Sequence, residues 1–156
     1  MSKLTTFLWF DGQAEEAAKF YCSIFKDSKL GKVARYPEGT PGTAGSVMTA
    51  EFTLNGQDFV GLNGGPLFKF SEAVSLAVKC KDQKELDYYW DKLLEGGGKP
   101  NQCGWLKDKY GFSWQIVPRQ MGDWANDPKV NGKVMAKVLK MVKLDIATLE
   151  KAAKGA

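Results

Sequence analysis

The chain has 156 residues, 44% of them hydrophobic and 26% charged, which is enough apolar material for a folded core and excludes a disordered chain. It contains no histidine, which excludes Ser-His-Asp and Cys-His nucleophiles and any metal site built on imidazole. The net charge of +4 belongs to the end of the chain, where residues 129–156 carry seven lysines and two acidic residues. Three cysteines without CxxC spacing, and no signal peptide or long apolar run, favour a cytoplasmic protein.

The first half of the sequence predicts one strand and one helix, followed by three more strands. An apolar run over Lys3–Phe10 ends at Asp11-Gly12, and the next dozen residues have apolar positions at helical spacing. A short strand is predicted around Lys32–Tyr36, followed by a Pro/Gly-rich loop at 37–46 that we expect to be a mobile lid. Two alternating runs then meet at Asn55-Gly56, the pair that favours a type I′ hairpin turn.

The second half repeats this order. Ala73–Cys80 predicts a strand, and a helix follows from an Asp82 cap to a Gly96 stop. Short strands are predicted near Gly104–Lys107 and Ser113–Val117, with a turn between them. The sequence therefore predicts an α+β protein made of two tandem βαβββ modules, at about 1–64 and 73–118.

The remaining residues, 119–156, predict a helical tail packed on the core. Its valines at 130, 134, 138 and 142 form one stripe, and a short final helix is predicted from Asp145. The lysines of the tail lack interleaved aromatic residues and arginines, so we expect a solvated face that binds neither nucleic acid nor a membrane.

Four sequence blocks, FLWFDGQAEEAAKFY, LNGGPLFKF, YYWDKL and CGWLKDKYGFSWQIVP, closely resemble the PhnB-like family of the vicinal oxygen chelate superfamily. That superfamily includes glyoxalase and bleomycin-resistance proteins, and PhnB-like members often carry the name 3-demethylubiquinone-9 3-methyltransferase-like. The resemblance implies a single domain, residues 1–156, whose modules form a U-shaped, eight-stranded mixed sheet around a cavity. It also implies a homodimer.

Superfamily enzymes hold a divalent metal with His and Glu side chains from four strands, but the matching positions here are neutral. Gln115 stands where a carboxylate is usual, the first strand offers only Thr5 or Thr6, and the fourth offers Asn63. Amide and hydroxyl oxygens are weak donors for a transition metal, so we expect no metal and no other cofactor. Asn63 and Gln115 either bind a small ligand or form hydrogen bonds with the backbone or with each other inside the cavity.

Aromatic residues predict what such a ligand would be like. The run FLWF is apolar on both faces of its strand, so Trp9 faces a cavity, a partner subunit or the core. Trp105 and Trp114 lie on strands of the second half, where we expect them to line or flank the cavity, and Phe68 lies in a loop near its expected rim. Such a lining suits a flat, mostly apolar molecule, although core packing is the alternative for Trp9 and Trp105.

Three functions remain open at this point. The first is a protein of unassigned activity that binds a small organic molecule through Trp9, Asn63, Phe68, Trp105 and Gln115. The second is an enzyme of the same superfamily, either a metal-free lyase or isomerase or the methyltransferase of the family name, although the Gly-rich turn of common S-adenosylmethionine enzymes is missing. The third is a resistance-type protein that sequesters a drug.

Overall fold

Each half of the chain builds its own four-stranded mixed sheet. The structure is a computed structural model that describes residues 2–155 and divides into two compact units, the first ending at Phe70 and the second beginning at Ser71. The first unit contains β1 (Thr6–Phe10), α1 (Ala14–Ile24), β2 (Ser28–Arg35), β3 (Val47–Leu54) and β4 (Gln57–Asn63). The second contains β5 (Ser75–Cys80), α2 (Gln83–Leu94), β6 (Lys99–Pro100), β7 (Trp105–Lys107) and β8 (Ser113–Pro118).

The two sheets have the same topology. Their strand orders are β1-β4-β3-β2 and β5-β8-β7-β6, with the first pair parallel in each sheet and the other pairs antiparallel. The α+β class and the tandem βαβββ order are therefore confirmed. The joining of the two sheets into one U-shaped sheet of eight strands stays a prediction.

Helix α1 covers one face of the first sheet. Leu8 and Phe10 of β1 are buried, whereas Phe7, the residue before Leu8, is 59% exposed, as the alternation of a strand requires. Tyr21 of α1 is fully buried, with its ring centroid 6.0 Å from that of Phe52 on β3. Strand β1 thus has apolar residues on both of its faces, and only one face is buried in the core of this unit.

Turn and cap residues act where the sequence predicts them. Asn55 and Gly56 both have positive φ, 49° and 76°, which the type I′ turn requires. The Asp82 side chain accepts a hydrogen bond from the Glu85 amide and so caps α2. Strand β2 begins at Ser28, earlier than predicted, because a bulge between Leu30 and Val33 interrupts its alternation.

The tail forms three helices in the second unit: α3 (Met121–Asn126), α4 (Asn131–Val138) and α5 (Ile146–Ala153). Val134 and Val138 are buried, but Val142 is 42% exposed because α4 ends before it, so the predicted four-valine stripe is wrong at that position. Asp145 caps α5 by accepting from the Thr148 amide, as predicted. None of the helices in residues 2–155 is long and apolar enough to cross a membrane.

Candidate functional site

A cleft of about 650 Å³ lies at the carboxyl ends of β1 and β4 in the first unit. These strands are parallel neighbours, with Phe10 paired to Asn63, so their ends and the segments that follow them meet at one edge of the sheet. Polar and aromatic groups from three segments line the cleft, among them Trp9, Asp11, Tyr36, Thr43, Asn63 and Gly65. Two predicted site residues, Trp9 and Asn63, are thereby brought together.

The Trp9 indole is fixed in place. Its Nε1 donates a hydrogen bond of 2.9 Å to the Gly65 carbonyl, and its ring meets Phe68 edge-on, with centroids 4.8 Å apart. The ring lies so close to Gly64 that an added Cβ at that position would overlap it. Phe68, the third predicted residue, is 58% exposed and reaches the cleft only through this contact with Trp9.

Asn63 is nearly buried, and both groups of its side-chain amide have backbone partners. Its Oδ1 accepts from the Ala14 amide at 2.9 Å, and its Nδ2 donates to the Val47 carbonyl at 3.1 Å. Helix α1 has no cap from Gln13, the residue before it, so Asn63 supplies the acceptor for its first amide. The sequence left two roles open for Asn63, ligand binding and hydrogen bonding to the backbone. These contacts are of the second kind.

Tyr36 and Asp11 are cleft residues that the sequence analysis did not single out. Tyr36 donates from its hydroxyl to the Asn63 carbonyl at 2.5 Å, and its ring covers Gly42, where an added Cβ would overlap it. Its backbone pairs with Ser46 and Gly45 across the 37–46 loop. The loop therefore forms a wall of the cleft that is held at its base by Tyr36. Whether it moves as a lid stays a prediction.

Trp105 and Gln115, the other two predicted residues, belong to the second unit. They are direct neighbours across β7 and β8, and both are half-buried. Gln115 Nε2 donates to Ser75 Oγ at 3.0 Å. Beside them Ser113 is 1% exposed, and its hydroxyl has no hydrogen-bond partner among residues 2–155. This unit therefore offers a small amide-and-hydroxyl cluster next to one tryptophan.

Trp114 does not line or flank a cavity, contrary to the sequence-based suggestion. It is 2% exposed, and its Nε1 donates to Asp108 Oδ2 at 2.8 Å. The other carboxylate oxygen of Asp108 accepts from the amides of Tyr110 and Phe112. Trp114 points to the opposite side of β8 from Gln115 because neighbouring residues of a strand alternate. It belongs to the core of the second unit.

The residues that would have to hold a superfamily metal do not fit one. The Asn63 oxygen already accepts from the Ala14 amide. Gln115 donates through its nitrogen to Ser75 and offers only a neutral amide oxygen. Within the described range 2–155, no group of three or more cysteines, aspartates or glutamates is placed to bind a metal ion. A divalent transition metal requires stronger donors than amides and hydroxyls.

A second cleft in the first unit has a different character. It has a volume of about 510 Å³ and lies over β2, β3 and the start of β4. Charged side chains of both signs line it, among them Lys29, Lys32, Glu51 and Asp58. It contains none of the five predicted site residues.

Comparison with known proteins identifies relatives of the whole two-sheet region. The sequence profile of the 3-demethylubiquinone-9 3-methyltransferase family matches residues 2–117. A PhnB protein from Bacillus cereus, described as a 3-demethylubiquinone-9 3-methyltransferase, is 41% identical. Its structure matches with a TM-score of 0.66 over 74% of this chain and 99% of its own.

Structures of lower sequence identity also match. A protein from Pseudomonas aeruginosa matches with a TM-score of 0.60 at 17% identity, over 76% of this chain and 97% of its own. A glyoxalase/bleomycin resistance protein from Albidiferax ferrireducens T118 matches with a TM-score of 0.47 at 11% identity, over 70% and 92%. No curated protein matches the sequence.

Proposed function

This chain belongs to the 3-demethylubiquinone-9 3-methyltransferase family, and from that premise we propose that it binds a small, flat organic molecule in the cleft beside Trp9. The single observation that carries the proposal is the cleft itself. Its volume of about 650 Å³ lies within the range of roughly 300–1,000 Å³ that is usual for small-molecule sites.

The fixed geometry of the Trp9 indole supports this proposal. Because its N–H is bonded to Gly65 and its ring is wedged between Gly64 and Phe68, the ring is held in one orientation before any ligand arrives. A preorganised aromatic surface loses little conformational entropy on binding. In this proposal Phe68 supports Trp9, while Trp105 and Gln115 are proposed as ligand contacts within the second unit.

A thermal-shift screen with a matched pair of variants tests the proposal. A compound that binds the cleft raises the melting temperature of the wild-type protein, since a ligand that prefers the folded state stabilises it. We expect Trp9→Phe to lose most of that shift and Trp124→Phe, which alters a half-buried tryptophan on α3, to keep it. Equal shifts in wild type and Trp9→Phe would show that the ligand binds elsewhere. Recovery of the compound unchanged distinguishes binding from turnover.

Methyl transfer is a second candidate because the family description names it. Common methyltransferases bind S-adenosylmethionine at the end of a doubly wound parallel sheet, at a Gly-rich turn. Here each sheet has a single parallel pair, and the segment after β1 reads Asp11-Gly12-Gln13. These residues do not fit the S-adenosylmethionine site of common methyltransferases. Titration calorimetry with S-adenosylmethionine should give no binding heat, and stoichiometric binding would establish the methyltransferase alternative.

We further propose that the whole chain acts as one glyoxalase-like domain and works as a homodimer in the cytoplasm. Large apolar side chains on β1 and β2 support the dimer, since Phe7 is 59%, Leu30 46% and Val33 42% exposed. Contact between copies would remove such surface from water. Light scattering of the purified protein should give about twice the mass of 17.2 kDa, and Phe7→Lys should halve it. A wild-type monomer would contradict the dimer.

A further inference from the structure

We propose that the cleft beside Trp9 selects a compact organic cation, namely a protonated amine or a quaternary ammonium with an apolar body. This rests on the proposed function, because it specifies the ligand class of the same cleft. Three properties of the lining support it: the sign of its charge, its aromatic rings, and the use already made of its hydrogen-bond donors.

The charge of the lining is opposite to that of the chain. The protein carries a net +4, yet the charged side chain that lines the cleft is the carboxylate of Asp11, and no lysine or arginine is among the described lining residues. Asp11 forms no ion pair within residues 2–155. The Arg35 side chain next to Tyr36 donates to the Gly45 carbonyl and is not part of the lining. A cationic ligand would give Asp11 a counter-charge.

Most hydrogen-bond donors of the lining side chains, the Thr43 hydroxyl excepted, are already used within the protein. Trp9 Nε1 donates to Gly65 and the Tyr36 hydroxyl to Asn63, while Asn63 Nδ2 donates to Val47 and Ser46 Oγ to the Thr43 carbonyl at 2.6 Å. A carbonyl oxygen that accepts one hydrogen bond keeps a second lone pair, although the Thr43 carbonyl uses both because it also accepts from the Ser46 amide. The cleft therefore offers acceptors and few free donors, which suits a ligand that donates and disfavours an anion.

Two aromatic rings, those of Trp9 and Tyr36, line the same cleft as Asp11. Each ring packs against a glycine that also lines the cleft, Trp9 against Gly64 and Tyr36 against Gly42. Cations are attracted to aromatic faces, most strongly to tryptophan, and pairs of such rings are the usual means of holding ammonium groups. The combination of aromatic walls with one unpaired carboxylate favours a cation over a neutral molecule of the same shape.

Three probes of similar size and different charge test the inference at pH 7: benzylamine, which is protonated, benzyl alcohol and benzoate. Binding is followed by the NMR shift of the Trp9 indole N–H, assigned with Trp9→Phe. We expect benzylamine to bind about two- to fivefold more tightly than benzyl alcohol, and benzoate most weakly, since an exposed ion pair contributes about that much. Added salt should weaken only the benzylamine complex.

Matched carboxylate variants complete the test. Asp11→Asn should reduce benzylamine affinity towards that of benzyl alcohol, while Asp58→Asn, which removes a carboxylate from the other cleft of the same unit, should leave it unchanged. Equal affinities for the three probes, or an Asp11→Asn protein that binds benzylamine as well as wild type, would overturn the cation inference and leave the proposed cleft intact. No shift of the Trp9 signal with any probe would count against both.

Discussion

Asn63, at the last position of β4, accepts a 2.9 Å hydrogen bond from the amide of Ala14, the first residue of α1. The residues are 49 positions apart, so a strand end supplies the helix with the cap that its own sequence omits. The same asparagine lines the cleft and receives the Tyr36 hydroxyl on its carbonyl. Asn63 therefore caps helix α1, contacts the tyrosine that holds the 37–46 loop, and lines the cleft.

Replacing Asn63 with alanine should destabilise the protein. The change leaves the Ala14 amide and the Val47 carbonyl without their side-chain partner, and an unsatisfied buried group costs about 1–3 kcal/mol. Chemical unfolding measures the loss. Gln57→Ala, at the exposed start of the same strand, is the control and should be close to neutral. If Asn63→Ala unfolds at the same denaturant concentration as wild type, the capping role is wrong.

Gly64→Ala should displace the Trp9 ring. An added Cβ would overlap the indole, and forcing a methyl group into a packed site typically costs about 1–3 kcal/mol. We expect a lower melting temperature and a changed fluorescence spectrum. Gly132→Ala on α4, where an added Cβ meets nothing within 4 Å, should be neutral or slightly stabilising. Unchanged fluorescence in Gly64→Ala would mean that Trp9 is not held as described.

Asp108→Asn should weaken the turn between β7 and β8. Asparagine can still accept from the Tyr110 and Phe112 amides, but its amide nitrogen would face the Trp114 N–H, donor against donor. The expected loss is about 1–3 kcal/mol, the cost of one unmade buried hydrogen bond. Near-ultraviolet circular dichroism should report the movement of Trp114. Asp91→Asn, exposed on α2, serves as the control, and equal unfolding of the two variants would refute the prediction.

The Cys80 thiol should be inert until the protein unfolds. Burial raises its pKa to about 12 from the ordinary 9.0, so at pH 8 it has almost no thiolate, the form that reacts. We expect a disulfide reagent to label at most two of the three cysteines in the folded protein and all three in denaturant. Labelling of Cys80 in the folded state, located by mass spectrometry, would disprove this.

The same pKa shift of Cys80 makes stability depend on pH. The native state holds the thiol proton more tightly than the unfolded chain, so the free energy of unfolding should fall as pH rises from 9.0 towards 12. Below 9.0 the two states bind this proton equally, and the effect vanishes. Cys80→Ala should flatten that part of the profile, whereas Cys103→Ala should not. If the free energy of unfolding of the Cys80→Ala protein falls with pH as steeply as that of wild type, other groups cause the fall.

Much of the fold follows from short-range signals. The Asn55-Gly56 turn and the Asp82 and Asp145 caps were predictable because each depends on residues within one turn of itself. Strand β6 is only Lys99–Pro100, too short to show alternation, so no periodicity could locate it. Trp114 was placed near a cavity because its facing depends on strand register, which a strand with apolar residues on both faces does not reveal.

The candidate site was only partly predictable. Two of its residues could be predicted. Trp9 is an apolar residue on the second face of a strand, and Asn63 is an amide where a metal ligand is usual. Tyr36 and Asp11 carried no such signal, because they read as a strand end and a turn residue. Asp11 reaches the cleft through the pairing of β1 with β4, and Tyr36 through its hydrogen bond to Asn63. Contacts between residues far apart in the chain decide such positions, and no local pattern encodes them.

The tail sets a practical limit on how this protein can be shortened. The family profile ends at residue 117, and the Bacillus cereus relative is matched over 99% of its length by 74% of this chain. Yet the amides of Cys103 and Gly104 donate to the carbonyls of Met141 and Val142, and Leu144 is fully buried. Trimming this protein to the length of its relative would strip hydrogen bonds and apolar cover from the second unit. The trimmed fragment should be prone to aggregate.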